Sequence, residues 1–243
     1  MQPESRLILA LDVNNEKEVQ NLVLALKKWI GFFKIGMRLF FRYGPEVVNE
    51  VKSMGGRVFL DAKLYDIPSV VESAVKAIGK MGVDMLTVHA LGGVEMMRRS
   101  INAIRENNYK TKILGVTILT SFNQESLKKE LGIRESIKEK VLFLAAKAKE
   151  AGLDGVICSG EEIKILRDSF GPGFLLVVPG IRTGGIKGDE QRRILTPEEA
   201  VNRGADYLVI GRPILQAPDP VEATKKIAER ISGISFNARG KEN

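Results

Sequence analysis

Eight short apolar runs recur along the chain, and stretches with helical spacing follow most of them. That alternation limits the fold more than any other feature. The runs cover residues 6–11, 32–36, a third that opens at Arg57 after Gly55-Gly56, then 83–89, 113–119, 153–158, 174–178 and 205–210. Helical patterns lie at 16–29, where Val19, Leu22, Val23 and Leu26 share a face, and at 45–54, 69–81, 93–107, 136–151 and 220–231. Ser69-Val70-Val71-Glu72, Ser159-x-x-Glu162 and Thr196-Pro197-Glu198-Glu199 are expected to cap helix starts, and Gly152 to end the helix before it. No linker of shifted composition interrupts the pattern. The expectation is an α/β fold, one (β/α)8 TIM barrel over all 243 residues, with its core at about 6–232 and a frayed tail from Gly233. An open doubly wound sheet is the alternative; the count of eight and the even spacing favour the barrel.

Composition narrows the classes of function. Apolar residues make up 44% and charged residues 28%, as in a water-soluble protein with a large core. No apolar run approaches the roughly 20 residues needed to span a bilayer. The first residues carry no basic stretch followed by an apolar core, so no export signal is read and the cytoplasm is the expected location. The single Cys158 has no internal partner for a disulfide. The net charge of +7 suits an anionic ligand. Basic residues are scattered and aromatics make up only 6%, which argues against a nucleic-acid groove.

In a barrel of this kind the active site lies at the C-terminal ends of the strands. The first strand ends at Asp12 and the second carries Lys34 inside an apolar run. The third ends in Asp61 and Lys63, which strand alternation places on one face, and Asp66 lies just beyond on a turn held out of helix by Pro68. The fourth ends at His89, read as structural, and the fifth at Thr120. Cys158 reads as packing. The seventh connection, 179–195, is long and glycine-rich, and Arg182, Lys187, Gln191, Arg192 and Arg193 let it hold an anion as a closing lid. Gly211-Arg212 after the eighth strand reads as a phosphate site, with backbone N–H groups and a bidentate guanidinium. No His/Cys cluster has metal-ligand spacing.

Several segments together resemble orotidine 5′-phosphate decarboxylases of the bacterial form, in the same order and at similar spacings from about 6 to 230. They are Leu11-Asp12, Lys34-Ile35-Gly36, Leu60-Asp61-x-Lys63-x-x-Asp66-Ile67-Pro68, Leu119-Thr120-Ser121, Pro179-Gly180-Ile181-Arg182 and Ile210-Gly211-Arg212-Pro213. The resemblance implies decarboxylation of orotidine 5′-phosphate to uridine 5′-phosphate without cofactor or metal, in a homodimer. It implies a charged array of Lys34, Asp61, Lys63 and the neighbouring subunit's Asp66, with Lys63 protonating the pyrimidine ring. Asp12 and Lys34 would hold ribose hydroxyls, with Ile67 and Thr120 also at the substrate; Arg182, Gln191, Gly211 and Arg212 would bind phosphate. The family usually has threonine two residues after the proline. Val70 stands there in this chain and cannot supply that hydroxyl. The alternative is a Mg²⁺-dependent sugar-phosphate enzyme of the same barrel group, of the 3-keto-L-gulonate 6-phosphate decarboxylase or hexulose phosphate synthase type. Lys34 and the Ile67-Pro68 pair argue against it.

Overall fold

Apolar runs with no polar face belong in strands covered on both sides, the condition of an all-parallel sheet. The computed structural model, which describes residues 2–182 and 195–234, places them so. The first half of the chain runs β1 (Leu7–Ala10), α1 (Glu16–Leu26), β2 (Phe32–Gly36), α2 (Met37–Tyr43), α3 (Pro45–Ser53), β3 (Val58–Leu64), α4 (Pro68–Lys80), β4 (Met85–His89) and α5 (Gly93–Glu106). The second half runs β5 (Lys112–Val116), α6 (Gln124–Leu131), α7 (Ile137–Ala151), β6 (Gly155–Ile157), α8 (Ile163–Phe170), β7 (Leu175–Val178), α9 (Pro197–Asn202), β8 (Tyr207–Ile210), α10 (Arg212–Leu215) and α11 (Pro220–Arg230). The eight strands are parallel and close into a barrel in sequence order, β8 pairing with β1.

Two apolar layers hold it together. Ile8, Phe32, Phe59, Met85, Leu114, Val177 and Tyr207 form a cluster inside the barrel, and a larger one fills the space between strands and helices. Side chains two apart on a strand share a face. The residues one step above Phe32, Phe59 and Met85 are therefore Lys34, Asp61 and Thr87. The barrel interior changes from apolar to polar within a single step.

The opposite end repeats one device. Asp84, Asp154 and Asp206 stand just before β4, β6 and β8, and each accepts, at 2.8 Å, the backbone N–H of a residue on the preceding strand: Val58, Ile113 and Leu176. Two residues before each aspartate is a glycine with positive φ: Gly82 (70°), Gly152 (89°) and Gly204 (106°). That backbone suits glycine and strains other residues.

Local structure departs from expectation at several points. The box at Ser69–Glu72 does not form: Pro68 opens α4 and Ile67 is the N-cap without a side-chain bond. Proline's fixed φ favours the first helical position, which moves the helix start back and puts Ser69 inside the first turn. Glu72 pairs with Lys76 at 2.8 Å instead. The Ser159–Glu162 pair forms, with Ser159 N–H donating to Glu162 Oε2 at 2.8 Å, but it closes a turn before α8 instead of capping it. The expected box at Thr196 is present, and a further, unexpected one forms between Ser136 and Glu139 at the start of α7. β5 stops at Val116, not at 119: Thr117 donates its hydroxyl to Ile157 O at 2.9 Å, and 118–120 turn over the rim. α2 and α6 interrupt connections expected to be plain. The tail beyond 234 lies outside the described residues, none of whose helices is long and apolar enough to cross a membrane.

Candidate active site

The polar step inside the barrel opens into a cavity of about 300 Å³ at the C-terminal ends of the strands. Asp12, Lys34, Asp61, Lys63, Thr120, Arg182, Gly211 and Arg212 line it, as do the apolar side chains of Phe59, Val116, Ile118, Leu119, Ile157 and Val209. The lining thus combines an apolar surface from the β5 and β6 ends with charged groups from the ends of β1, β2, β3, β7 and β8, a mix suited to a ring carrying anionic groups.

Asp61 is the centre of the charged side. Its Oδ2 lies 2.7 Å from Lys63 Nζ and 3.5 Å from Lys34 Nζ, and its Oδ1 accepts the Thr87 hydroxyl at 3.0 Å. The Asp61 and Lys34 side chains are each only 13% exposed, Lys63 30%. Burial pushes the Asp61 carboxyl up, but the two ammonium charges and the hydrogen bonds from Lys63 and Thr87 outweigh it and hold it below the ordinary carboxylate value. Asp61 is therefore ionised at neutral pH.

Lys63 owes its place to an irregular strand. Between β3 and β4 the pairing passes from Leu60↔Leu86 to Leu64↔Val88, so β3 accommodates extra residues. Lys63 takes φ of +47°, a left-handed backbone that non-glycine residues adopt at a cost of order 1–3 kcal/mol. Simple alternation correctly predicts that Asp61 and Lys63 both face the cavity, but it misses this distortion and its partner Thr87. A clue was present in the spacing Met85-x-Thr87, which continues the inner face of β4.

The two arginines of the cavity lie across the rim. Arg182 follows β7, where Ile181 bridges to Leu195 and Arg182 N–H donates to Leu195 O at 3.0 Å. Arg212 follows β8 at the start of α10. Gly211 lies beside the end of β1: an added Cβ would meet Ala10 Cβ at 3.5 Å and Asp12 Oδ2 at 3.6 Å, both ordinary contact distances. Gln191, with Lys187, Arg192 and Arg193 of the long seventh connection, lies outside the described residues.

Asp66 and Ile67 are not brought into this cavity. Asp66 is exposed on the turn after β3, its Oδ1 accepting the Ile67 N–H at 2.6 Å, and Ile67 is 62% exposed. His89 stays off the cavity as well: its Nδ1 accepts the Leu91 N–H at 3.4 Å and its ring packs against Tyr65. Burial and the Lys63 charge lower its pKa, so it is neutral at pH 7. Cys158 lines the cavity floor with its thiol pushed far up by burial, a protonated packing group. Among the described residues no group of three His, Cys, Asp or Glu side chains is placed to hold a metal ion.

Comparison with known proteins gives this geometry a family. The chain is 45% identical over 236 residues to the orotidine 5′-phosphate decarboxylase of Moorella thermoacetica, covering 95% of this chain and 94% of that protein. It is 46% identical over 231 residues to the Trichlorobacter lovleyi enzyme of the same name, covering 94% and 95%. The solved structure of orotidine 5′-phosphate decarboxylase from Lactobacillus acidophilus superposes with a TM-score of 0.83 at 37% identity, over 93% of this chain and 98% of that one. The sequence also matches the model of the Orotidine 5'-phosphate decarboxylase / HUMPS family over residues 5–227. With that extent of match and that identity, the chain belongs to the orotidine 5′-phosphate decarboxylase / HUMPS family.

Proposed function

We propose that the protein is an orotidine 5′-phosphate decarboxylase, a carboxy-lyase that converts orotidine 5′-phosphate to uridine 5′-phosphate and CO2 in pyrimidine biosynthesis, and that it uses the Lys34–Asp61–Lys63 array to do so. The relatives carry that name, and the observation that carries the mechanism is a buried carboxylate held between two ammonium groups on the floor of a cavity with an arginine on each of two rim connections.

In the reaction the bond from C6 of the pyrimidine to its carboxylate breaks, the electron pair stays on C6, and CO2 leaves. The ring offers that pair no electron sink of the Schiff-base kind, so preorganised charge must stabilise it. The Lys63 ammonium stands where the negative charge develops and delivers the proton that C6 takes up. Asp61 orients Lys63 and sits beside the departing carboxylate, a repulsion that CO2 loss relieves. Two unit charges about 4 Å apart interact by roughly 4 kcal/mol at an effective dielectric near 20. Enzymes lower barriers by ~8–23 kcal/mol, so the remainder comes from binding energy realised away from C6, at the phosphate.

Asp12 and Lys34 take the ribose hydroxyls, Thr120 lies by the base, and Arg182, Gln191, Gly211 and Arg212 take the phosphate. Arg212→Ala should then weaken uridine 5′-phosphate by about 2–4 kcal/mol, roughly 30- to 1,000-fold, and leave uridine nearly unchanged. Titration calorimetry with both ligands measures this. Equal weakening of the two would remove Arg212 from the phosphate site.

Asp66 and Ile67 are proposed to serve the neighbouring subunit of a homodimer. Met37 and Phe41, four apart on α2, together with Tyr65, Ile67 and Val70 around the start of α4, are exposed apolar side chains on two adjacent rim connections; Phe41 is 81% exposed. Patches of this kind mark protein–protein contacts.

The reading is tested by following the loss of orotidine 5′-phosphate absorbance in EDTA. Two ammonium groups within 3.5 Å of Asp61 already occupy the place that a divalent cation would take beside it, so turnover is expected to persist. Activity that disappears with EDTA and returns with Mg²⁺ would move the protein to the metal-dependent sugar-phosphate enzymes.

A further inference from the structure

Thr87 is buried, belongs to no expected set of site residues and does not line the cavity, yet both functions of its hydroxyl are committed to it. Its Oγ1 accepts the Lys63 backbone N–H at 2.8 Å and donates to Asp61 Oδ1 at 3.0 Å. One small group therefore ties the carboxylate of the array to the main chain that carries its ammonium.

The position of this bond in the sheet gives it weight. It falls inside the irregular stretch where pairing jumps from Leu60↔Leu86 to Leu64↔Val88. A regular ladder would satisfy the Lys63 N–H with a backbone carbonyl; here the side-chain hydroxyl does so. It is also the bond that holds a residue at φ +47°, a conformation that persists only where the surroundings over-determine it. Lys63 Nζ is fixed at one end by Asp61 and its backbone at the other by Thr87. Asp61 is fixed in turn by Thr87.

We propose that Thr87 is a positioning residue for the decarboxylation, its hydroxyl setting where the Lys63 ammonium stands relative to the substrate ring. The inference rests on the reading of this cavity as the decarboxylation site. Thr87 touches no reacting atom and acts through Asp61 and Lys63. The groups assigned to ribose and phosphate lie on other strands and connections, so displacement of Lys63 should reach the chemical step and spare binding. A misplacement of about 1 Å at a reacting group costs on the order of 10²-fold in rate.

The test compares Thr87→Val, which keeps the shape and removes the hydroxyl, with Thr87→Ser, which keeps the hydroxyl. For the full-length protein kcat, KM for orotidine 5′-phosphate, the Kd of uridine 5′-phosphate and Tm are measured for each. The valine variant is expected to lose about 100-fold or more in kcat with KM and Kd within about threefold of wild type, and the serine variant to stay within about fivefold in kcat. If the valine variant does not fold, Thr87→Ala, which leaves space beside Asp61 instead of a methyl group, takes its place in the comparison. An active wild type alongside a hydroxyl-free variant that keeps more than a third of kcat overturns the inference alone. So does a loss that affects kcat and product binding alike and that serine fails to restore, since that is the pattern of a purely structural residue. A wild-type protein that does not decarboxylate orotidine 5′-phosphate overturns the functional reading first.

Discussion

Lys63→Ala is expected to lower kcat by about 10⁴-fold or more while uridine 5′-phosphate still binds within about tenfold of wild type. Two contributions are lost together. Proton delivery by a positioned side chain is typically worth about 10²–10⁴-fold, and preorganised charge at the reacting atom about 10²–10³-fold. The arginines proposed to hold the phosphate, Arg182 and Arg212, follow β7 and β8, on the far side of the rim from β3, so product affinity reports on them separately. Alanine carries a Cβ like lysine, so the left-handed backbone at 63 is no more and no less strained by the change. Asp61 keeps the Lys34 ammonium at 3.5 Å and the Thr87 hydroxyl, which limits the cost in stability. Single-turnover decarboxylation alongside calorimetric binding of the product measures both halves. A variant that retains appreciable turnover would mean that the proton reaches C6 from another donor.

The second large effect is a recovery. Lys63→Ala and Asp66→Ala homodimers should each be nearly inactive, and mixing them after dissociation should restore activity. Asp66 lies outside the cavity of its own chain, on an exposed turn beside the apolar residues Tyr65 and Ile67. In a two-fold dimer each site would combine Lys63 of one subunit with Asp66 of the other. Random exchange makes about half of the dimers mixed, and each mixed dimer holds one site with both residues intact, so about a quarter of all sites recover. Tagged chains establish that exchange has occurred. With exchange confirmed, activity that remains at the homodimer level would place Asp66 within its own subunit.

How much of this was readable beforehand depends on what each residue has to pay for its position. The strands are legible because burial on both faces demands unbroken apolar runs, and Asp61 and Lys63 stand out because charges ending such a run must be paired. Alternation suggests that they share a face, while the irregularity between Leu60 and Leu64 and the left-handed backbone at Lys63 set how they meet. α2 is hidden: it follows β2 without a side-chain cap, and its Leu39, Phe40 and Phe41 are consecutive instead of helically spaced. α6 is hidden by polarity, with Leu127 its one buried residue. Thr87 escapes notice because threonine is an ordinary strand former. Its role depends on standing opposite the irregularity in β3, a tertiary fact. Asp66 is conspicuous by motif, yet a single chain leaves it outside the cavity.

The aspartates before β4, β6 and β8 have a wider consequence. They align neighbouring strands at the end of the barrel remote from the cavity, and they do so three times over with the same glycine-x-aspartate unit. Strand alignment and chemistry are therefore assigned to opposite ends of the molecule and to different residues. The connections at the rim can be lengthened, shortened or exchanged without disturbing what keeps the strands in step. Such a barrel is a chassis: its foundations repeat, its working face is singular, and a new specificity can be built on one without renegotiating the other.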